Sequence, residues 1–138
     1  MADVVITAAN VIPGANAKFR DGTAGATITA GQVVYSDSTD NGDYKLAQAD
    51  AATTDDVIGI AVNGASDGQP IRVVYEDDDL TIGGTVAIGT IYVLSAAAGG
   101  AIAPSTDLAS TNLVTVLGPA KTTGKIMLKI QVTSAAVA

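Results

Sequence analysis

Short runs of β-branched and aliphatic residues alternate with turn residues along the whole chain. Glycine, proline or Asp-Asn-Gly sequences interrupt the runs every few residues, a spacing that is typical of β proteins and not of helices. The pattern predicts strands at residues 4–7, 32–36, 44–48, 57–62, 71–75, 90–94, 113–117 and 125–132. It also predicts one short helix, over residues 47–55.

The alternation of apolar and polar residues is clearest in the last predicted strand. Its aliphatic residues share one face, at Ile126, Leu128, Ile130 and Val132. A period of two residues predicts that this face is buried and that the other is solvated. Turn sequences at residues 40–42, 66–68 and 99–100 separate the strands before it.

The chain contains an internal repeat, in which residues of the first half recur at a fixed offset in the second half. The first matched pair is Thr23 with Thr81, and their separation defines the repeat offset. At this repeat offset the further matched pairs are Gly25 with Gly83, Thr27 with Thr85, Ile28 with Val86, Gly31 with Gly89 and Val33 with Ile91. With short gaps, residues 46–47 match 102–103, and 57–59 match 116–118. Because neither half can bury its apolar face alone, the two halves are expected to pack together.

These patterns predict an all-β fold with little or no helix. We expect a compact β-barrel or β-sandwich built from two similar halves, at about residues 21–75 and 79–132 of a single β domain over 21–138. Residues 1–20 precede the repeat and are predicted to form an N-terminal extended arm. Aromatic residues are only 4% of the chain, so aliphatic side chains must fill the core.

Charge and composition exclude several functions. The net charge is −7 and the seven basic residues are scattered, which disfavours binding to nucleic acid or to an anionic membrane. The chain has no histidine and no cysteine, so the commonest general base and metal ligand are missing. We therefore predict no enzyme activity, no cofactor and no metal. Charged residues are only 15%, which indicates either buried interfaces or a surface rich in hydroxyls and amides.

Two acidic segments are candidates for cation sites. The run Glu76, Asp77, Asp78 and Asp79 could offer oxygens to Ca²⁺, but a run of this kind more often forms a solvated turn. Asp37, Thr39, Asn41 and Gly42 resemble the start of a calcium loop, yet Gln48 stands where a bidentate Glu is needed. A hairpin tip explains the second segment better.

The order of these segments resembles the small capsid cement (decoration) proteins of tailed bacteriophages. The resemblance covers roughly residues 20–132, and it is carried by ITAGQVVYSDSTDNGDYKLAQAD, VIGIAVNGASDGQPIRVVYEDD, IGGTVAIGTIYVLSAAAGGAIAPSTD and LVTVLGPAKTTGKIMLKI. It depends on strand and turn residues and on no catalytic motif, so no ligand site is carried over from the family.

The resemblance implies a virion protein on the outer surface of the phage head. It would bind the major capsid protein, stabilise contacts between capsid subunits and assemble with itself, commonly as a homotrimer. Because the arm precedes the repeat and is apolar, we expect its capsid contacts at Val4, Val5, Ile6, Val11 and Ile12. The alternatives are a β domain of a phage tail or fibre and a carbohydrate-binding β module, the latter disfavoured by the absence of tryptophan.

Overall fold

A computed structural model describes residues 3–50, 57–110 and 112–136 of the chain. These residues form eleven strands, in chain order β1 Val11–Ile12, β2 Lys18–Thr23, β3 Val33–Asp37, β4 Asp43–Leu46, β5 Val57–Ala61, β6 Pro70–Ile82, β7 Ile91–Leu94, β8 Ile102–Pro104, β9 Leu113–Pro119, β10 Lys125–Lys129 and β11 Gln131–Ala136. Two 3₁₀ turns, Ala8–Asn10 and Ser105–Asp107, complete the regular elements of the described residues. The predicted all-β fold is confirmed.

The strands form two antiparallel sheets that pack together as a sandwich. The larger sheet has the order β1-β6-β5-β3-β4, and β2 and β10 also pair with β6. The smaller sheet has the order β11-β9-β7-β8. Several strands that follow one another in the chain pair directly, as β3 does with β4 and β7 with β8, which is common in antiparallel sheets.

The strand β6 is the longest in the molecule and connects the two halves of the sequence. Its first part pairs with β2 and β5, and its second part pairs with β1 and β10. The predicted strand at 71–75 is therefore too short, because the acidic residues that follow it continue the strand. Partner strands β2 and β10 bring Lys18 and Lys129 opposite Glu76, and Lys125 forms an ion pair with Asp79, so the charges do not end the pairing.

The two halves place their strands in the same order. The three-stranded unit β5-β3-β4 corresponds to β9-β7-β8. In each unit the strand that comes first in the chain, β3 or β7, lies in the centre. Val34 pairs with Leu46, and the residues at the repeat offset from them, Tyr92 and Pro104, pair in the same way. The offset thus holds through the hairpin without the gap that the sequence alignment placed there. Both central strands also shift register at the same place, after Val34 and after Tyr92.

The core between the sheets is aliphatic, as expected for a chain with few aromatic residues. Its largest cluster takes residues from both halves and from β10, including Val33, Ile60, Val74, Leu80, Ile82, Leu94, Ile102, Leu117, Ile126 and Leu128. A second cluster in the first half contains Ile28, Val34, Tyr44, Ile71 and Val73. Because the largest cluster draws on both halves, neither half encloses it alone.

Three predicted elements are wrong at least in part. Residues 4–7 form no strand, although they are extended along the β domain. Residues 47–50 are not helical, and the rest of the predicted helix lies outside the described residues. The strand predicted at 125–132 is two strands, β10 and β11, which join different sheets. The chain changes sheet at Ile130, so Ile126 and Leu128 are buried whereas Val132 is exposed.

Replacing a residue of the shared core tests the packing. Leu94 is fully buried in the largest cluster, so we expect Leu94→Ala to lower the free energy of unfolding by about 2–5 kcal/mol through lost burial and the cavity that remains. Ile88→Ala is the matched control, because Ile88 is 67% exposed, and it should change stability by less than about 0.5 kcal/mol. Urea denaturation measures both. Equal losses would contradict this core assignment.

Candidate interaction surface

Residues 3–12 form an N-terminal strap that lies along the second half of the domain. The backbone N–H of Val4 donates to the carbonyl of Ile102 at 2.8 Å, and that of Thr7 donates to the carbonyl of Gly83 at 2.8 Å. At the start of the strap the buried hydroxyl of Ser95 donates to the carboxylate of Asp3 at 2.6 Å. At its end, β1 pairs with β6. The strap is therefore held at both ends.

The strap exposes two of the five residues predicted to contact a capsid. Val5 is 85% exposed and Ile12 is 58% exposed. Val4 and Ile6 pack against the core, and Val11 is buried. The contact role of all five stays a prediction, but only Val5 and Ile12 offer most of their apolar surface to another molecule.

The segment that the strap contacts is almost free of charge. Between Asp79 and Lys121 the only charged residue is Asp107. The strands of this segment, β7, β8 and β9, are mostly buried, but the segment exposes Ile88 and Ile91 by 67% and 49%. The backbone oxygen of Val5 lies close to Gly84 of the same segment. Charge depletion with exposed aliphatic residues is the composition of an interface core.

Sequence reasoning missed this surface because it considered the total charge and not its distribution. The signal was present: sixteen charged positions lie from Lys18 to Asp79, against one in the following segment up to Lys121. Nothing in the pattern of Ile88 and Ile91 distinguishes them from core residues, so their exposure required the structure.

The charged residues of the larger sheet pair with one another at its surface. Arg72 contacts Asp21 at 2.8 Å, and Lys18 contacts Glu76 at 3.0 Å. The hydrogen bond from Arg72 lowers the pKa of Asp21, and the one from Lys18 lowers the pKa of Glu76. Exposed pairs of this kind contribute little to stability.

The acidic run at residues 76–79 lies inside β6, so the predicted solvated turn is wrong. Asp77 is 1% exposed and accepts hydrogen bonds from the backbone N–H of Gly14 at 2.7 Å and of Asp79 at 3.0 Å. Asp79 pairs with Lys121 and Lys125. These carboxylates therefore have separate partners, and within the described residues no three acidic groups come close enough to hold a metal ion.

The segment that resembles a calcium loop is the tip of the β3–β4 hairpin. The carboxylate of Asp37 accepts hydrogen bonds from the backbone and hydroxyl of Thr39, at 2.9 and 2.6 Å, and from Lys45 at 2.9 Å. Asn41 and Gly42 take the positive φ values of the turn. The hydrogen bonds from Thr39 and Lys45 lower the pKa of Asp37 to about 2. These contacts agree with the hairpin interpretation.

Aromatic rings and cavities of the described residues indicate no second site. Arg20 lies 4.4 Å from the ring centre of Tyr75, and Arg72 lies 5.3 Å from that of Phe19, so an arginine covers one face of each ring. An open cavity of about 480 Å³ lies beside Asp3 and Ser95. The hydroxyl of Ser95 is already engaged there, since it donates to Asp3 and accepts from the N–H of Ala97.

Comparison with known proteins adds no family assignment. No model of a known protein family matches the chain, and no curated protein matches its sequence. Among the residues that the structure describes, no helix is long and apolar enough to span a membrane.

The contact between Gly14 and Asp77 yields a stability prediction. A Cβ at position 14 would lie 2.6 Å from a carboxylate oxygen of Asp77, so Gly14→Ala should displace a buried carboxylate and lower the free energy of unfolding by about 1–3 kcal/mol. A Cβ at Gly124 would meet nothing within 4 Å, which makes Gly124→Ala the control, with an expected change within about 0.5 kcal/mol. Thermal and urea unfolding compare the two. A neutral Gly14→Ala would contradict this close contact between Gly14 and Asp77.

The lowered pKa of Asp37 predicts how the hairpin responds to acid. Because the folded pKa of about 2 lies below the usual 3.8, the stabilisation is present above about pH 4 and is lost as the pH falls toward 2. Titration of the carboxyl carbon by NMR should give a midpoint near 2 for Asp37. Thr39→Ala removes the hydroxyl donor, so it should raise that midpoint. A midpoint near 4 in the unmodified chain would contradict these hydrogen bonds.

Proposed function

We propose that this chain is a bacteriophage capsid cement protein that binds the outer surface of the head and stabilises contacts between major capsid protein subunits. The observation that carries the proposal is the nearly charge-free segment between Asp79 and Lys121, which exposes Ile88 and Ile91 and whose Gly84 lies against the backbone oxygen of the exposed Val5. A surface of this composition is suited to burial against another protein. The sequence resemblance supplies the identity of the partner.

The geometry suits a protein that works by contact. Its exposed aliphatic residues lie on the outside of a two-sheet framework whose core comes from both halves, so they can be covered without rearranging the fold. A homotrimer at three-fold positions of a capsid would repeat each contact three times. Weak contacts repeated in this way add to a large effective affinity.

The tail or fibre interpretation would use the same surface, so only a binding experiment separates it from the cement interpretation. The carbohydrate interpretation gains no support from the exposed aromatic residues. Phe19 is the most accessible ring, and Arg72 lies over it. Sugar-binding faces are usually open aromatic platforms.

The test is binding to purified phage heads that lack decoration protein. The mass of the free protein is first determined by light scattering, and the same sample is then sedimented with heads and, separately, with isolated tails. Saturable binding to heads, with a mass of three chains in solution, supports the proposal. Binding to tails alone would overturn it in favour of the tail interpretation, and binding to neither would overturn both.

Substitutions on the proposed contact surface should weaken head binding without unfolding the protein. Val5→Asp and Ile88→Asp each place a charge where apolar burial is expected, so each should raise the dissociation constant by about tenfold or more. Ser38→Asp, at the exposed tip of the β3–β4 hairpin, is the matched control and should bind like the unmodified chain. If all three variants bind equally, this surface is not the interface.

A further inference from the structure

The two halves of the domain differ at one edge. In the first half the carbonyl of Tyr44 in β4 accepts the backbone N–H of Gly25 at 2.8 Å. The residue at the repeat offset from Tyr44 is Ile102 in β8, and its carbonyl accepts the N–H of Val4 instead, also at 2.8 Å. Where the first half closes on itself, the second half is completed by the strap. The edge of β8 is therefore a slot that an added chain segment must fill.

The slot fits a closely approaching backbone. A Cβ at Gly84 would collide with the carbonyl oxygen of Val5, and one at Gly31 would lie 2.5 Å from Ile6. The counterpart of Gly84 in the first half is Ala26, so the first half lacks this glycine at the place where it closes without an added segment. The glycine at 84 thus belongs to the slot and not to the repeated strand pattern.

The strap is attached to the domain in a way that allows release. Its middle, Ala8–Asn10, is an exposed 3₁₀ turn without buried residues, and β1 contributes only two paired positions. Beyond the strap, Gly14 is fixed to β6 by its hydrogen bond to the buried Asp77. Val11 is the only buried residue of the strap, since Val4 and Ile6 are partly buried. Chain ends with few fully buried residues open at low free-energy cost, whereas the hydrogen bond of Gly14 to Asp77, the clamp, would stay closed.

We infer that the first part of the strap is exchanged between copies of this chain, so that residues 3–7 of one copy fill the β8 slot of a neighbour and residues 8–13 connect the two copies. Contacts within the slot are the same whether the strap belongs to its own chain or to a second copy, as in other exchanges of identical elements. Concentration and the geometry of the connection then decide between the two arrangements. Crowding on a surface would favour exchange.

The clamp limits which neighbours can exchange straps. About seven residues separate Gly14 from the part of the strap that bonds to Gly83, so at roughly 3.4 Å per extended residue the reach is on the order of 20 Å. Only copies packed side by side fall within this distance. Exchange would therefore link directly adjacent copies and no others.

Engineered cysteines test the exchange without background, because the natural chain has no cysteine. Asp3 and Ser95 hydrogen-bond at 2.6 Å, so cysteines at these positions start close together. We mix ¹⁵N-labelled Asp3→Cys protein with unlabelled Ser95→Cys protein at rising concentration, oxidise with copper phenanthroline and identify mixed disulfides by mass spectrometry. The expected result is a mixed dimer whose fraction rises with concentration.

Two controls make the result specific. Ser38→Cys replaces Ser95→Cys as an exposed acceptor outside the slot, and it should give much less mixed dimer. Adding Gly84→Val to the Ser95→Cys chain should abolish the mixed dimer, because the added side chain blocks the slot. If the Ser95 and Ser38 acceptors cross-link equally, or if mixed dimer forms at no concentration, the inference is wrong. The comparison of the Ser95 and Ser38 acceptors tests the inference even if the Gly84→Val variant does not fold.

Strap exchange goes beyond the proposed function and can fail separately from it. The cross-linking experiment needs no capsid, whereas head binding is measured with the natural chain. Protein that binds heads but forms no mixed dimer would retain the cement function and lose the exchange. The reverse result would retain the exchange and lose the cement function.

Discussion

The pairing of β6 with four other strands is the constraint on which the rest of the fold depends. Its first part completes the first half through β2 and β5, and its second part begins the second half through β1 and β10. Because one continuous strand belongs to both halves, the halves cannot separate without breaking the largest sheet. The buried Asp77 then fixes the chain at Gly14, so the strand also decides where the N-terminal strap ends.

The repeat accounts for the two similar three-stranded units, and the differences between the two halves account for their different edges and surface charges. The two three-stranded units keep the same order and register, but only the first closes its own edge at Tyr44. The second half leaves its edge to the strap and has almost no charge on β7, β8 and β9. Charges are concentrated in the first half, where they form ion pairs at or near the surface. The second half also exposes Ile88 and Ile91, and low charge beside exposed aliphatic residues is the composition of an interface.

Exposed aliphatic residues outside the core are the feature that supports the structural role that we propose. The exposed aliphatic residues are spread over the strap and the neighbouring turn at Ile88, and they are carried by a sandwich with a shared core. Such an arrangement gains little from any single contact. It gains from symmetry, because each additional copy adds the same contacts at a lower entropic cost.

The sequence by itself determined the all-β class, most strand positions in the interior and the repeat that relates Thr23 to Thr81, because local alternation and turn residues are written into neighbouring positions. Short strands such as β1 and β8 carry too few residues for a pattern. Only tertiary structure decided that residues 125–132 divide between two sheets, that Asp77 is buried and that the strap covers Val4 while exposing Val5. Each of these features depends on residues far away in the chain. Burial by a distant strand does not produce a periodic pattern of apolar residues in the local sequence.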